Sequence, residues 1–420
     1  MVCESWGAIA FGWVRRNMVE PERSFTFLGF EWLQGLLGPG MYVYFVAMGF
    51  AALGVVLGYR YRLSALAMAL LWSGAYFMQK TSYNNHYYLT MLLCWWMVLL
   101  PAHLRFSLDA LRQNLPPVRT CARWIPVFAK AQLLIVFVYG SVAKFYPGWL
   151  EGDFIGVVFG AKTHYPVIGP LLGEGWFQTF ITYGAIVFDA LVIPLLWWGR
   201  TRALAFVGLI LFNVFNSVVF GIGIFPYLVL ANTIFFFDAR HFERVLHRFE
   251  GGTSALPELS LKPAPGAINS LGLGVLAVYF AFQVLLPLRH HLVPGDVNWR
   301  EEGHRMSWRM MLRSKSGYIT LEARDPIGGT KLTVPLDSFL TDKQRRRLAT
   351  KPFFAWRFAQ DLEAHYRAQG WDEVEVYVRR SRVWLNGKGP HPIIGPDTDL
   401  TAVGWNYWGR NEWVLDRPGS

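Results

Sequence analysis

The sequence predicts an α-helical polytopic membrane protein of about eight transmembrane helices, carrying a C-terminal extracytoplasmic α+β domain. Three observations predict it. The 420 residues are 53% hydrophobic and only 16% charged, against roughly 25% charged in an ordinary soluble domain, and mean hydropathy is +0.26. Apolar runs crowd into residues 41–288, whereas 289–420 read as a water-facing chain. The short loops between runs alternate between arginine-rich and arginine-poor. A single soluble globule and a disordered tail are both excluded. The expected organisation is an N-terminal stub and interfacial segment over 1–40, a membrane domain over 41–288 and a polar domain over 289–420.

A bilayer core about 30 Å thick requires about 20 mostly apolar residues per spanning helix. Such runs occupy 41–58, 63–79, 86–104, 126–145, 177–198, 203–220, 224–237 and 270–288. The apolar stretch at 5–14 is too short to cross, and neither a basic start nor a cleavage site makes it a signal peptide. The seventh run opens at Gly221-Ile222-Gly223-Ile224-Phe225-Pro226. This is a break in one long hydrophobic stretch, expected to be buried in protein because lipid offers its backbone no hydrogen bonds.

Loops after the first, third, fifth and seventh runs carry Arg60 and Arg62; Arg105, Arg112, Arg119 and Arg123; Arg200 and Arg202; and Arg240, Arg244, Arg248 and Lys262. The alternate loops hold little beyond Lys80, Lys144 and Lys162, with Glu151, Asp153 and Glu174 against them. Positive charge favours the cytoplasmic side, so residues 289–420 are expected on the extracytoplasmic or lumenal face. The net charge of +11 is thus partly an orientation signal rather than a nucleic-acid footprint. Cys3, Cys94 and Cys121 lie far apart, which gives no disulfide or zinc framework.

In the polar part, Tyr318–Ala323 and Lys331–Leu336 alternate in hydrophobicity around Asp325-Pro326-Ile327-Gly328-Gly329, a hairpin signature. Thr341 with Gln344 resembles a capping box, and Pro352 suits the first turn of a helix ending near Gly370. Val374–Val378 and Arg382–Leu385 follow as strands, with Asn386-Gly387 as a tight turn. The Arg345-Arg346-Arg347 cluster reads as a solvated helix face, with a ligand-binding role as the alternative.

Ionisable groups in membrane runs are costly and mark functional sites by default. Lys144 closes the fourth run. It either snorkels to the interface or sits as a desolvated amine, whose burial disfavours the charged form and leaves a base. His86 follows Asn84 and Asn85 at the opening of the third run, a denser polar cluster than helix capping requires. Asp189, in the fifth run with no basic residue within a turn, is a further candidate, or else orients a partner helix. His290 and His291 are adjacent and cannot both face one site from a helix, and Gly272 and Gly274 read as packing positions. No Walker loop, HExxH or nucleophile elbow is present.

Around this cluster the chain resembles a known family. Lys80–Asp109, KTSYNNHYYLTMLLCWWMVLLPAHLRFSLD, is similar to the vitamin K-dependent gamma-glutamyl carboxylases and their microbial relatives, the HTTM-domain proteins. IVFVYGSVAKFYPGWLEG (135–152), GIGIFPY (221–227) and NWREEGHRMSWRMMLRSKSG (298–317) follow in the family's order, and VWLNGKGPHPIIGPDTDL (383–400) more loosely. The resemblance implies a membrane enzyme using vitamin K hydroquinone, a reduced naphthoquinone, as cosubstrate with O2 and CO2, and no metal. A lysine base deprotonates the quinol, oxygen adds, and a strongly basic intermediate removes a γ-proton from a peptide glutamate. CO2 then adds to the carbanion, and the quinol leaves as its epoxide.

The family's base lysine matches Lys144 and its active-site histidine His86. Asn84 and Asn85 would bond quinol oxygens. Ser307, Trp308, Met310 and Met311 would line the pocket, the 298–317 segment roofing it. The implied partners are the lipid bilayer, the quinol and a glutamate-containing protein or peptide, with no nucleic acid.

The sequence departs from the family in several places. Ala143 stands where the animal enzyme has a second lysine, Asn213 where relatives often carry histidine, and Gly395-Pro396 where an acidic residue precedes proline. Only a stub corresponds to the family's first helix, and no long C-terminal extension follows. A quinol epoxidase without protein carboxylation, and a non-enzymatic transport or anchoring module, remain alternatives because fold alone does not fix function.

Overall fold

Apolar segments of 18 or more residues can satisfy their backbone amides within lipid only as helices, and the computed structural model has that architecture. It describes residues 1–114, 121–238, 242 and 269–419. Arg119, Arg240, Arg244, Arg248 and Lys262 from the orientation argument lie outside the described residues.

Among the described residues, five helical segments are long and apolar enough to cross a membrane: Gly40–Leu57, Trp124–Val142, Gly175–Trp197, Arg202–Phe220 and Ser270–Leu292. We number the principal helices α1 (Val2–Ala10), α2 (Gly40–Leu57), α3 (Tyr61–Met78), α4 (Asn85–Leu99), α5 (Trp124–Val142), α6 (Asp153–Gly160), α7 (Gly175–Trp197), α8 (Arg202–Phe220), α9 (Phe225–Asn232) and α10 (Ser270–Leu288). The expected runs 63–79, 86–104 and 224–237 fold as α3, α4 and α9. Of these, α4 has 15 residues and α9 has 8 before a 3-10 turn, short of the ~20 that span a bilayer core.

Local chemistry sets the boundaries. Gly58 takes the left-handed conformation (φ 61°) that ends α2, and Gly221 (φ 62°) does the same for α8. The Asn84 side chain caps α4 by accepting from the Tyr87 amide at 2.7 Å. The bundle buries Met48, Met68, Leu89, Leu133, Val136, Ile193 and Leu209. By contrast α10 turns Leu271, Leu273, Val275 and Val278 outward, as a helix bathed in lipid would. The break at 221–226 has Ile222 and Phe225 against a cavity. Its two glycines are exposed rather than buried as expected.

The C-terminal domain is a four-stranded antiparallel sheet in the order β2-β1-β3-β4, with β1 Lys315–Arg324, β2 Lys331–Thr333, β3 Glu375–Leu385 and β4 Lys388–His391. Helices α11 (Asp342–Thr350) and α12 (Pro352–Ala368) complete it. The Thr341/Gln344 capping box is present, and Pro352 opens α12. Two expectations are corrected. The run Lys331–Leu336 leaves the sheet at Thr333, and Leu336–Phe339 forms a helical turn. The two strands expected at 374–378 and 382–385 are one, carried past Arg379 by a register shift opposite Thr320/Leu321. Asn386 (φ 50°) and Gly387 (φ 76°) make the expected tight turn. Phe354, Phe358 and Leu362 of α12 and Leu321, Val376 and Val378 of the sheet are buried, each worth about 1.5–3 kcal/mol.

Polar contacts dock this domain on the helices. Lys343 Nζ donates to Asn17 Oδ1 (2.6 Å) and Ser82 Oγ (2.7 Å), and Gln344 Nε2 to the Arg23 carbonyl (2.8 Å). Lys388 Nζ pairs with Asp153 (2.5 Å) and Glu151 (3.2 Å) beside α6.

Candidate active site

Between the docked domain and α4, α5, α7 and α8 lies a cavity of about 680 Å³, within the usual range of about 300–1,000 Å³ for small-molecule sites. Its two ends differ in chemistry. The membrane side is walled by Phe180, Ile181, Phe188, Phe212, Phe215 and Phe220. The domain side carries Glu301, Arg309, Arg313, Lys315, Arg347 and Lys351.

On the membrane side Lys144 is 6% exposed and Asp189 7%. Lys144 Nζ lies 2.5 Å from Asp189 Oδ2, donates to the Gly140 carbonyl at 2.8 Å and sits 5.3 Å from the centre of the Trp149 ring. Asp189, read as a functional candidate or as the orienter of a partner helix, is the counter-ion of the lysine 45 residues away. Gly140 lies beside the pair: a Cβ there would stand in ordinary contact, 3.5 Å from Asp189 Oδ2 and 3.6 Å from Met310 Cε. Lys144 is therefore enclosed, and the snorkelling alternative is removed.

His86 opens onto the same cavity, its Nε2 3.8 Å from where a side chain on Gly223 would begin. No described residue hydrogen-bonds its ring, so the imidazole is free to meet a ligand. Asn84 and Asn85 also line the cavity, but both are already engaged. Asn84 caps α4. Asn85 accepts from Tyr83 Oη at 2.8 Å and donates to the Arg309 carbonyl at 3.0 Å.

Met310 and Met311 form part of the wall, whereas Ser307 and Trp308 stand behind it. Ser307 Oγ bonds the carbonyls of Gly303 and His304 (2.6 and 3.0 Å), and Trp308, fully buried, packs 5.0 Å from Tyr88. These two residues brace the roof rather than touch its contents. Glu301, Met306, Trp308 and Met311 all have positive φ (50–73°). Such sparsely populated backbone persists where the surroundings over-determine it and clusters at functional sites.

The roof is organised by Glu301. Its carboxylate meets Arg313 at 2.6 Å, Lys351 at 3.1 Å and Lys315 at 3.4 Å. Burial alone would raise its pKa, but Arg313, Lys351 and Lys315 outweigh burial and hold it well below the usual carboxylate range. Burial pushes Lys315 down to about 8 despite Glu301, and Arg309 to about 10. Burial, with Arg313 next to it, holds His304 well below 6.5. Arg313, Lys315 and Lys351 thus share one carboxylate, while Arg309 and Arg347 line the same cavity, bonded to Asn298 Oδ1 and to the Thr81 carbonyl. Buried charge left unpaired is expensive, so the roof is built to receive an anion. Arg347 belongs to it, which corrects the reading of residues 345–347 as a wholly solvated face.

The sequence alone missed Asp189 as a partner, the Glu301 cluster and Asn216. Asn216 is a buried amide in the otherwise apolar wall. The dense charge of 300–315 was the available signal for the cluster; Asn216 had none.

Both low values make acid destabilising. Unfolded His304 and Glu301 bind protons more readily than the folded groups, so stability is complete above about 6.5 and 4.5 respectively and declines as pH falls through each toward its folded value. The unfolding temperature is expected to fall as pH drops from 6.5, and His304→Gln to flatten the first part of that decline. An unchanged slope in the variant would count against the His304 assignment.

The comparisons agree with this architecture. Residues 1–240 match the family model of the HTTM domain. Residues 268–419 match that of the vitamin K-dependent gamma-carboxylase lumenal domain. No solved structure matches the chain. With the first model covering more than half of the chain and the second most of the remainder, the protein belongs to the vitamin K-dependent gamma-carboxylase family, as a multi-pass HTTM-domain membrane protein with the family's lumenal domain.

Proposed function

We propose that this protein is a carboxylase that couples oxygenation of a reduced naphthoquinone, hydroquinone to epoxide, to carboxylation of glutamate side chains in a protein or peptide. One observation carries the proposal: a single cavity joins an apolar chamber holding a buried lysine–carboxylate pair to a roof rich in buried cations. The residues fit such a ligand pair. Phe188, Phe212 and Phe215 suit a flat apolar ring arriving from the bilayer, and the Lys144–Asp189 pair and His86 suit its hydroxyls. The quinol, when bound and oxygenated, would supply a base stronger than any side chain.

This chain's own groups do the rest. Lys144 and Asp189 manage the hydroxyl proton, and His86 orients the ring. The aromatic walls exclude water, which would quench a strong base. Arg313, Lys315, Arg347 and Lys351 grip the glutamate carboxylate, and their surplus charge favours the more negative carbanion and dicarboxylate over the substrate. Stabilising charge that develops during reaction is what lowers a barrier. The arginine-rich loops and the family's name for the domain support a lumenal or extracytoplasmic placement of residues 289–420.

Purified protein given reduced vitamin K, O2, labelled bicarbonate and a glutamate peptide tests the proposal. Label in the peptide together with quinone epoxide is expected. Epoxide without label removes the carboxylation half, and neither product overturns the whole.

A further inference from the structure

We infer that Asp189 is the proton-accepting partner of Lys144, so that the base of this site is the pair and not a free lysine amine. The identity of the hydroxyl ligand rests on the carboxylase reading above; the pairing itself does not.

Three observations carry the inference. The first is the company the Lys144 nitrogen keeps: a carboxylate at 2.5 Å, a backbone carbonyl at 2.8 Å and an aromatic face at 5.3 Å. All three favour an ammonium, which has three protons to donate and is drawn to ring faces. None of them donates to the lone pair of a neutral amine.

The second is charge balance. A neutral lysine beside an ionised Asp189 would leave one uncompensated negative charge in a pocket where both side chains are more than nine-tenths buried. Ammonium with carboxylate is neutral, and neutrality is strongly preferred where water is excluded.

The third is enforced register. Ser141 Oγ bonds the Ile186 carbonyl at 2.9 Å, and Trp149 Nε1 the Thr182 carbonyl at 2.9 Å. Two contacts therefore fix the end of α5 and the segment after it against α7 on the stretch leading to Asp189.

The proton then moves without creating net charge. The ligand O–H bond breaks, its electron pair stays on the ligand oxygen beside the Lys144 ammonium, and the proton joins an Asp189 carboxylate oxygen. Ligand plus pair sum to zero before and after. Tautomers that differ only in which partner holds the proton have the same proton count, so the titration belongs to the pair.

Asp189→Asn tests this. At pH 7 quinol epoxidation is expected to fall about 100-fold or more and to recover as pH rises, because Lys144 alone must first shed its own proton. The natural protein stays flat over that range, and Asp189→Glu keeps the flat profile. A readout independent of turnover is reductive methylation of Lys144 followed by mass spectrometry. It should run at least about tenfold faster in Asp189→Asn, with the unfolding temperature recorded as a folding control. An unchanged pH profile with equal methylation rates would overturn the inference. If the natural protein forms no epoxide, the carboxylase reading fails, and the methylation contrast still decides the pair.

Discussion

Lys144→Ala is expected to form no quinol epoxide above background, a loss on the order of 1,000-fold or more, as befits removal of a positioned acid–base group. Its cause differs from the loss of an exposed lysine. The side chain is enclosed and is the counter-ion of Asp189, so the variant also strands a buried carboxylate, at a cost of about 3–5 kcal/mol. Low activity in this variant alone does not separate chemistry from folding. A double variant, Lys144→Met with Asp189→Asn, separates the two effects. Removing both charges is expected to return the unfolding temperature toward that of the natural protein while epoxidation stays absent. Epoxide formed by Lys144→Ala at the natural rate would refute the assignment of Lys144.

Glu301→Gln is expected to destabilise the protein by about 3–5 kcal/mol, more than most single substitutions. The carboxylate is the shared partner of Arg313, Lys315 and Lys351, and an amide cannot balance their charge. Thermal unfolding in detergent should show a clear drop, partly reversed by a multivalent anion such as sulfate, which replaces the lost charge. An unfolding temperature within a degree of the natural protein's would show that the roof cations are balanced elsewhere.

Both variants concern features that the sequence disclosed unevenly. Helical spans and the C-terminal domain were legible because hydropathy and arginine placement are properties of local segments. Lys144 and His86 stood out for the same reason, as polar groups set in apolar runs. The Lys144–Asp189 pair was not legible, because it joins two helices across 45 residues and no local pattern encodes which faces meet. The Glu301 cluster was hidden differently. Arg313, Lys315, Arg347 and Lys351 come from two charge-dense stretches whose meeting no local pattern encodes, and only the folding of α11 over β1 gathers them. In the sheet, Arg379 and Arg380 interrupt the apolar alternation of β3, so one bulged strand read as two. Asn84 and Asn85 were correctly placed at the cavity but credited with a ligand's hydrogen bonds, when their nearest obligations are to Tyr87, Tyr83 and Arg309.

The contacts that seat Lys343 on Asn17 and Ser82, and Gln344 on Arg23, make the reaction chamber a joint product of two folding units. The bundle alone would leave Lys144 and His86 beneath an open mouth, and the domain alone would hold a cluster of mutually repelling cations with nothing below it. An incompletely assembled chain therefore has no enclosed cavity around Lys144 and His86. Docking ties the integrity of the cavity to the assembly of both halves.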